Sequence, residues 1–151
     1  MSERALDLPD AAATDAAGRA LAGALRPGDV IALTGDLGAG KTSLARGLLS
    51  ALGLAEEAPS PSYALVIPYD PPQTRLPVWH VDLYRLDDPE EAEELGLDDA
   101  LIDGALIIEW PERLGWLWPE SLRLHISVPD AGPRRLTATL PPSWKERWPF
   151  P

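Results

Sequence analysis

The sequence predicts a single α/β domain built on a mixed sheet, with parallel core strands and a C-terminal antiparallel hairpin. Three observations carry this reading. Residues 29–34 and 105–109 are short, almost wholly apolar segments, the pattern of strands buried on both faces of a parallel sheet. The first of them runs into a glycine-rich turn and then into helical periodicity, a strand–loop–helix order typical of α/β folds. Late in the chain, Leu122, Leu124, Ile126 and Val128 alternate with Arg123, His125 and Ser127, and Leu136, Ala138 and Leu140 alternate with Thr137 and Thr139. Pro129, Asp130, Gly132 and Pro133 lie between the two runs, which therefore read as a hairpin of half-buried strands.

The elements follow in order. Asp10 and the Thr14-Asp15 pair are cap candidates, and the Ala/Leu-rich stretch after them predicts a helix over 14–26, stopped by Pro27-Gly28. The strand at 29–34 precedes a helix over 43–53 that closes on a glycine. Residues 56–62 form a loop with two prolines, and 63–69 alternate as a strand. A turn over 70–77 leads to a strand over 78–83 with Asp82 near its end. Asp87-Asp88-Pro89 opens a short acidic helix through Glu94, closed by Gly96, and 97–102 forms a further helical turn before the strand at 105–109. With 151 residues there is material for one core and not for two ordinary ones. Residues 1–140 are read as the domain and 141–151 as a Pro/Trp-rich tail.

Composition narrows the function. Apolar residues make up 45% and charged residues 25%, as expected of a soluble globular protein, and no apolar run reaches the length of a membrane span. Residues 1–10 carry charges and no long apolar core, so no export signal is expected and the cytoplasm is the expected compartment. The absence of cysteine removes disulfides, iron–sulfur clusters and thiol catalysis. A net charge of −11 argues against a direct grip on RNA or DNA and suits basic protein partners. Oligomeric state is left open, with a monomer as the simplest case.

Residues 35–42 read Gly-Asp-Leu-Gly-Ala-Gly-Lys-Thr, a complete G-x-x-x-x-G-K-[ST] phosphate-binding loop set between a strand and a helix N-terminus. Gly35, Gly38 and Gly40 let the backbone approach phosphates and turn without a Cβ. Asp36, Leu37 and Ala39 complete the loop, and the amides of about Ala39 to Ser43 are expected to point into it at the positive end of the helix. Lys41 supplies a point charge to the outer phosphates and Thr42 a hydroxyl for Mg²⁺, which makes ATP with magnesium the expected ligand. Ser43 is a further phosphate contact.

Such a loop needs carboxylates at the ends of neighbouring strands. Asp82 and Glu109 both fit, and either meets the requirement of a Walker-B-type residue. Asp82, the shorter, suits the metal or its water; Glu109 suits orientation or activation of an attacking water. A strand-end carboxylate capping a nearby turn is the bland alternative for each. His80 shares a strand face with Asp82 and reads equally well as a site residue or a structural histidine, whereas His125 lies on the polar face of the hairpin. Trp110 fits against the nucleotide or in the core. Arg85, Arg113 and Arg134 are candidates to neutralise transition-state charge, and the sequence does not choose among them. The acidic run 87–94 reads as a solvated face.

The chain resembles the bacterial TsaE (YjeE) P-loop ATPases of tRNA threonylcarbamoyladenosine formation. The resemblance rests on Gly35-Asp36-Leu37-Gly38-Ala39-Gly40-Lys41-Thr42, Ser60-Pro61-Ser62-Tyr63, His80-Val81-Asp82-Leu83-Tyr84-Arg85-Leu86, Glu94-Leu95-Gly96-Leu97 and Ile108-Glu109-Trp110-Pro111-Glu112, in the family's order, over about residues 14 to 140. It implies an ATPase that sustains the TsaB–TsaD heterodimer, with contact to tRNA only through that pair. By position it implies Lys41 and Thr42 at phosphates and magnesium, Asp82 and Glu109 at metal and catalysis, and Trp110 near the nucleotide. It also implies a switch-like hydroxyl at Ser62, where the family more often has Thr, with Tyr63 where Phe is frequent. Three other readings compete. A small-molecule kinase would need a lid that is not evident. A GTPase would need a guanine-reading motif that is absent. A nucleotide-gated binding module would turn over little.

Overall fold

The computed structural model describes residues 2–61 and 65–151. Among them a seven-stranded sheet runs in the order β1-β7-β6-β2-β5-β4-β3. The strands are β1 (Ser2–Leu8), β2 (Val30–Thr34), β3 (Val66–Tyr69), β4 (Val78–Asp82), β5 (Ala105–Glu109), β6 (Leu122–Ser127) and β7 (Arg134–Leu140). β6, β2, β5 and β4 are mutually parallel, which makes the centre of the sheet. Antiparallel pairs flank it: β6 with β7 and β7 with β1 on one side, β3 with β4 on the other. The mixed sheet, the parallel core and the C-terminal hairpin are as the sequence predicts.

Two apolar layers sandwich the sheet. Helices α1 (Ala11–Ala24) and α2 (Lys41–Ala51) cover one face, where Leu21, Leu44, Leu48 and Leu49 meet Ile31, Leu33 and Ile107. The other face, over β4 and β5, is covered by the 3-10 segment Pro89–Leu95, the short helix α3 (Leu97–Ala100) and the 3-10 turn Pro111–Leu114, whose Ala92, Leu97, Ala100 and Leu114 pack on Val81, Leu106 and Ile108. Because residues i and i+2 of a strand point to the same face, β5 feeds both layers, Ala105 and Ile107 on the α1–α2 side and Leu106 and Ile108 on the other.

α1 and α2 approach closely because glycines face the contact. A Cβ on Gly18 would stand 2.2 Å from the Leu44 carbonyl oxygen, and one on Gly47 would stand 2.5 Å from that of Asp15. This close crossing fixes α2, and with it the loop that leads into it, against α1.

Some boundaries move for local reasons. Asp10, not the Thr14-Asp15 pair, caps α1: its Oδ1 accepts from the Ala13 amide at 2.8 Å, so the helix starts three positions before the expected residue 14. α2 opens at Lys41 rather than at 43, directly behind Gly40, whose φ of 119° only glycine adopts readily. The acidic helix is a 3-10 segment closed by Gly96 at φ 65°. Of the expected strand over 63–69, residues 63 and 64 lie outside the described residues, and Leu65 is a bend at φ 67°, so the strand begins at Val66.

β1 has no counterpart in the sequence reading. It is an edge strand held by its backbone ladder to β7, and only Leu8 of its side chains is buried, so apolar alternation does not announce it. The segment after residue 140 is no loose appendage. Trp144 is fully buried in the helix-side core, and the Arg147 guanidinium holds Asp29 through two bonds of 2.7 and 3.0 Å and the Ala24 carbonyl oxygen at 2.7 Å. The same guanidinium lies 4.2 Å from the Trp144 ring centroid. No helix among the described residues is long and apolar enough to cross a membrane.

Candidate nucleotide site

The loop at 35–40 leaves the C-terminal end of β2 and turns into α2. Left-handed backbone at Gly35 (φ 142°), Gly38 (77°) and Gly40 (119°) makes the turn. Space as well as φ demands glycine at 35, where a Cβ would stand 2.6 Å from the Ile126 carbonyl oxygen. The first-turn amides of α2 have no partner inside the helix, which makes them donors for an anion. The Ala39 amide differs from expectation: it donates to the Asp36 carbonyl oxygen at 3.0 Å, and its methyl is buried in the core. Ala39 therefore shapes the loop from behind.

Lys41, the first residue of α2, curls back over the loop. Its Nζ donates to the carbonyl oxygens of Gly35 and Asp36 and lies 4.2 Å from the centroid of the Trp110 ring. Only 5% of the residue is exposed. Burial lowers its pKa from the ordinary lysine value, against the opposing pull of Glu109, Glu112, Asp82 and Asp36.

The two strand-end acids are neighbours because β4 and β5 are parallel and in register, with Asp82 paired opposite Glu109. Both are buried. Glu109 Oε1 accepts from the Thr42 hydroxyl at 2.8 Å, and its Oε2 lies 2.7 Å from Nε2 of the fully buried His80. Asp82 Oδ1 accepts the Tyr84 amide at 2.9 Å. The capping role weighed for a strand-end acid is therefore real for Asp82, and it coexists with a place beside the loop.

Immediately after Glu109 the chain turns through Trp110 at φ 61°, a left-handed conformation unusual for a bulky residue. The Trp110 amide donates to the Leu33 carbonyl oxygen at 3.2 Å, so the turn is anchored to β2. The strained turn sets the indole beside Lys41 on one side and the Tyr84 ring, 4.9 Å away, on the other.

A hollow of about 210 Å³ results, lined by Leu37, Gly38, Gly40, Lys41, Thr42, Ser43, Asp82, Glu109, Trp110 and Arg134. Gly35, Asp36 and Ala39 are outside this lining; their carbonyl oxygens accept from Lys41 and Arg134, which are in it. Of the three candidate arginines, Arg134 is the one in this lining, and its Nη1 donates to the Ala39 carbonyl oxygen at 2.9 Å. Arg113 instead lies 5.7 Å from the Tyr84 ring centroid. His125 bonds to the Thr34 hydroxyl at 2.7 Å and lines a larger cavity of about 450 Å³ on the other side of the sheet. No residue of the 35–42 loop, and neither Asp82 nor Glu109, lines that cavity. Ser62 and Tyr63 lie outside the described residues. Sequence reasoning left His80 undecided and did not foresee its bond to Glu109; the i, i+2 spacing to Asp82 was the available signal.

The donor set fits magnesium. Thr42, Asp82 and Glu109 offer oxygen alone, which suits a hard cation. No group of three or more His, Asp or Glu forms a ready-made metal cage among the described residues. Magnesium at phosphates needs none, since it is bound by one or two protein oxygens plus phosphate and water.

A strand, a glycine loop, a helix N-terminus and two acids on adjoining parallel strands define the P-loop class of nucleotide-binding domains. The sequence model of the TsaE family, "Threonylcarbamoyl adenosine biosynthesis protein TsaE", matches residues 8–136. The chain belongs to the TsaE family and so to the system for tRNA threonylcarbamoyladenosine biosynthesis. The tRNA threonylcarbamoyladenosine biosynthesis protein TsaE of Synechocystis sp. is 43% identical over 122 residues, covering 76% of this chain and 75% of that protein. The protein of the same name from Streptomyces coelicolor is 39% identical over 137 residues, covering 87% and 90%. The crystal structure of YdiB from Bacillus subtilis superposes with a TM-score of 0.81 at 28% identity, over 97% of this chain and 91% of that one.

Proposed function

We propose that this protein is a magnesium-dependent ATPase whose turnover supports the TsaB–TsaD pair in forming threonylcarbamoyladenosine in tRNA. The observation that carries the reading is the meeting of Lys41, Thr42, Asp82 and Glu109 on one hollow at the N-terminus of α2. The loop amides and Lys41 bind the β- and γ-phosphates, and Arg134 closes the loop's outer side. Thr42 and Asp82 hold the metal, with Glu109 beside them. Magnesium, when bound, neutralises charge on the phosphates. Glu109 orients the attacking water and takes its proton. The buried setting strengthens each of these interactions relative to water. Family membership supports the partner assignment, and the net charge of −11, which disfavours a direct grip on nucleic acid, accords with it.

The test is phosphate release from ATP by the purified protein with and without magnesium, followed by a pull-down of the TsaB–TsaD pair with and without ATP. Release of phosphate with no added acceptor, together with ATP-dependent capture of the pair, is expected. Strict dependence on a metabolite hydroxyl, or preference for GTP, would overturn the assignment.

A further inference from the structure

His80 sits on β4 two residues before Asp82 and has no exposed surface. Its Nε2 lies 2.7 Å from Glu109 Oε2, while its Nδ1 is buried without a partner among the described residues. A ring hydrogen placed on Nδ1 would be a buried donor with no acceptor. Placed on Nε2, it meets a carboxylate oxygen and leaves only a bare lone pair inside. The hydrogen therefore belongs on Nε2, and the imidazole donates to Glu109.

This splits the work of the carboxylate. Oε2 is tied to the sheet by His80, and Oε1 turns to Thr42 at 2.8 Å. The terminal torsion of a glutamate is soft, so a carboxylate anchored through one oxygen alone would sample many orientations. With Oε2 fixed, the plane of the group is set and Oε1 is presented to the hollow. Ile107, the partner of His80 in the β4–β5 register, and Val78, two residues before it, are also without exposed surface and share its face of the sheet, which leaves the ring little room to turn.

We propose that His80 is a positioning residue: its Nε2–H holds Glu109 so that Oε1 faces Thr42 and the phosphate end of the site. The inference rests on the ATPase reading for its consequence in turnover, but the hydrogen bond can be tested without turnover.

The experiment compares wild type, His80→Leu and His80→Gln, the last with an amide nitrogen near the Nε2 position. ATP affinity by calorimetry, kcat and KM for ATP with magnesium, and unfolding temperature are measured on all three. His80→Leu is expected to lower kcat by about tenfold to a hundredfold, the usual effect of removing a group that orients a ligand or catalytic side chain, with ATP affinity within about twofold of wild type. His80→Gln is expected to recover most of kcat. An equal loss of kcat in both variants while folded, or wild-type kcat in His80→Leu, overturns the proposal, as does a loss of ATP affinity that parallels the loss of kcat. Imidazole ¹H–¹⁵N spectra of the unliganded wild type supply the separate reading. A hydrogen on Nε2, shielded from solvent and perturbed by Glu109→Ala, supports the pairing; a hydrogen on Nδ1 rejects it. A wild type that shows this pairing yet hydrolyses no ATP would defeat the ATPase reading and leave the hold on Glu109 standing.

Discussion

The Lys41 ammonium lies 4.2 Å from the centre of the Trp110 indole, so the loop's one lysine is held between its own backbone carbonyls and an aromatic face. That placement removes it from water and aims it at the space the loop encloses. Replacing it with alanine takes away the charge that the proposed ATPase sets against the phosphates. Lys41→Ala is expected to lower ATP turnover by at least about a hundredfold. Phosphate release measured at saturating magnesium checks it.

The same residue should leave a mark on stability. Burial lowers the Lys41 pKa, so folding releases a proton at pH values between that lowered value and the ordinary 10.5. Stability due to this side chain therefore rises with pH across the window. Below the window the buried charge weighs against the fold. The unfolding free energy of Lys41→Met minus that of wild type should fall as pH is raised toward 10.5. Urea titrations of both proteins at matched pH would show it, and a difference that stays flat would count against a desolvated lysine.

Glu109 keeps one oxygen on Thr42 and the other on His80. Glu109→Gln nearly preserves shape and removes the carboxylate that the proposed mechanism uses as its base. ATP binding is expected to persist while kcat drops by about 10²- to 10⁴-fold, the range for losing a positioned general base. Parallel loss of binding and kcat would instead make Glu109 a structural or binding group.

Arg134 lies at the start of β7, far in sequence from the loop, and bonds to the Ala39 carbonyl oxygen. Removing its guanidinium loosens the loop and takes a positive group from the lining. Arg134→Ala should raise the KM for ATP by about tenfold, on the scale of a lost charged hydrogen bond. Steady-state kinetics that left KM unchanged would assign the residue to the hairpin alone.

Gly18 lets α1 pass against α2 with no Cβ between them. Gly18→Val should force the helices apart and destabilise the domain by about 1–3 kcal/mol or more, as overpacking does. Thermal unfolding would register this as a fall of several degrees for a chain of this size.

The centre of the fold was legible because it is written in local pattern. Residues 105–109 read as a buried strand and form β5 at those same positions. The phosphate loop and both acids announced themselves through glycine spacing and strand-end carboxylates. What stayed hidden depends on distant partners. β1 carries almost no apolar alternation and exists because β7 offers a free edge. Arg134 looked no different from Arg113 until the hairpin register set it beside the loop. Trp144 belonged by composition to a tail, yet the space it fills is made by residues from across the chain. The bond from His80 to Glu109 arises from parallel pairing of β4 and β5, which no single segment encodes.

The segment that carries Trp144 and Arg147 ends up gripping Asp29, one residue before the strand that leads into the phosphate loop. A stop codon introduced ahead of Trp144 would therefore excise a cornerstone, not trim a fringe. Chains that lack Trp144 and Arg147 should be vulnerable to proteases and poor at holding nucleotide.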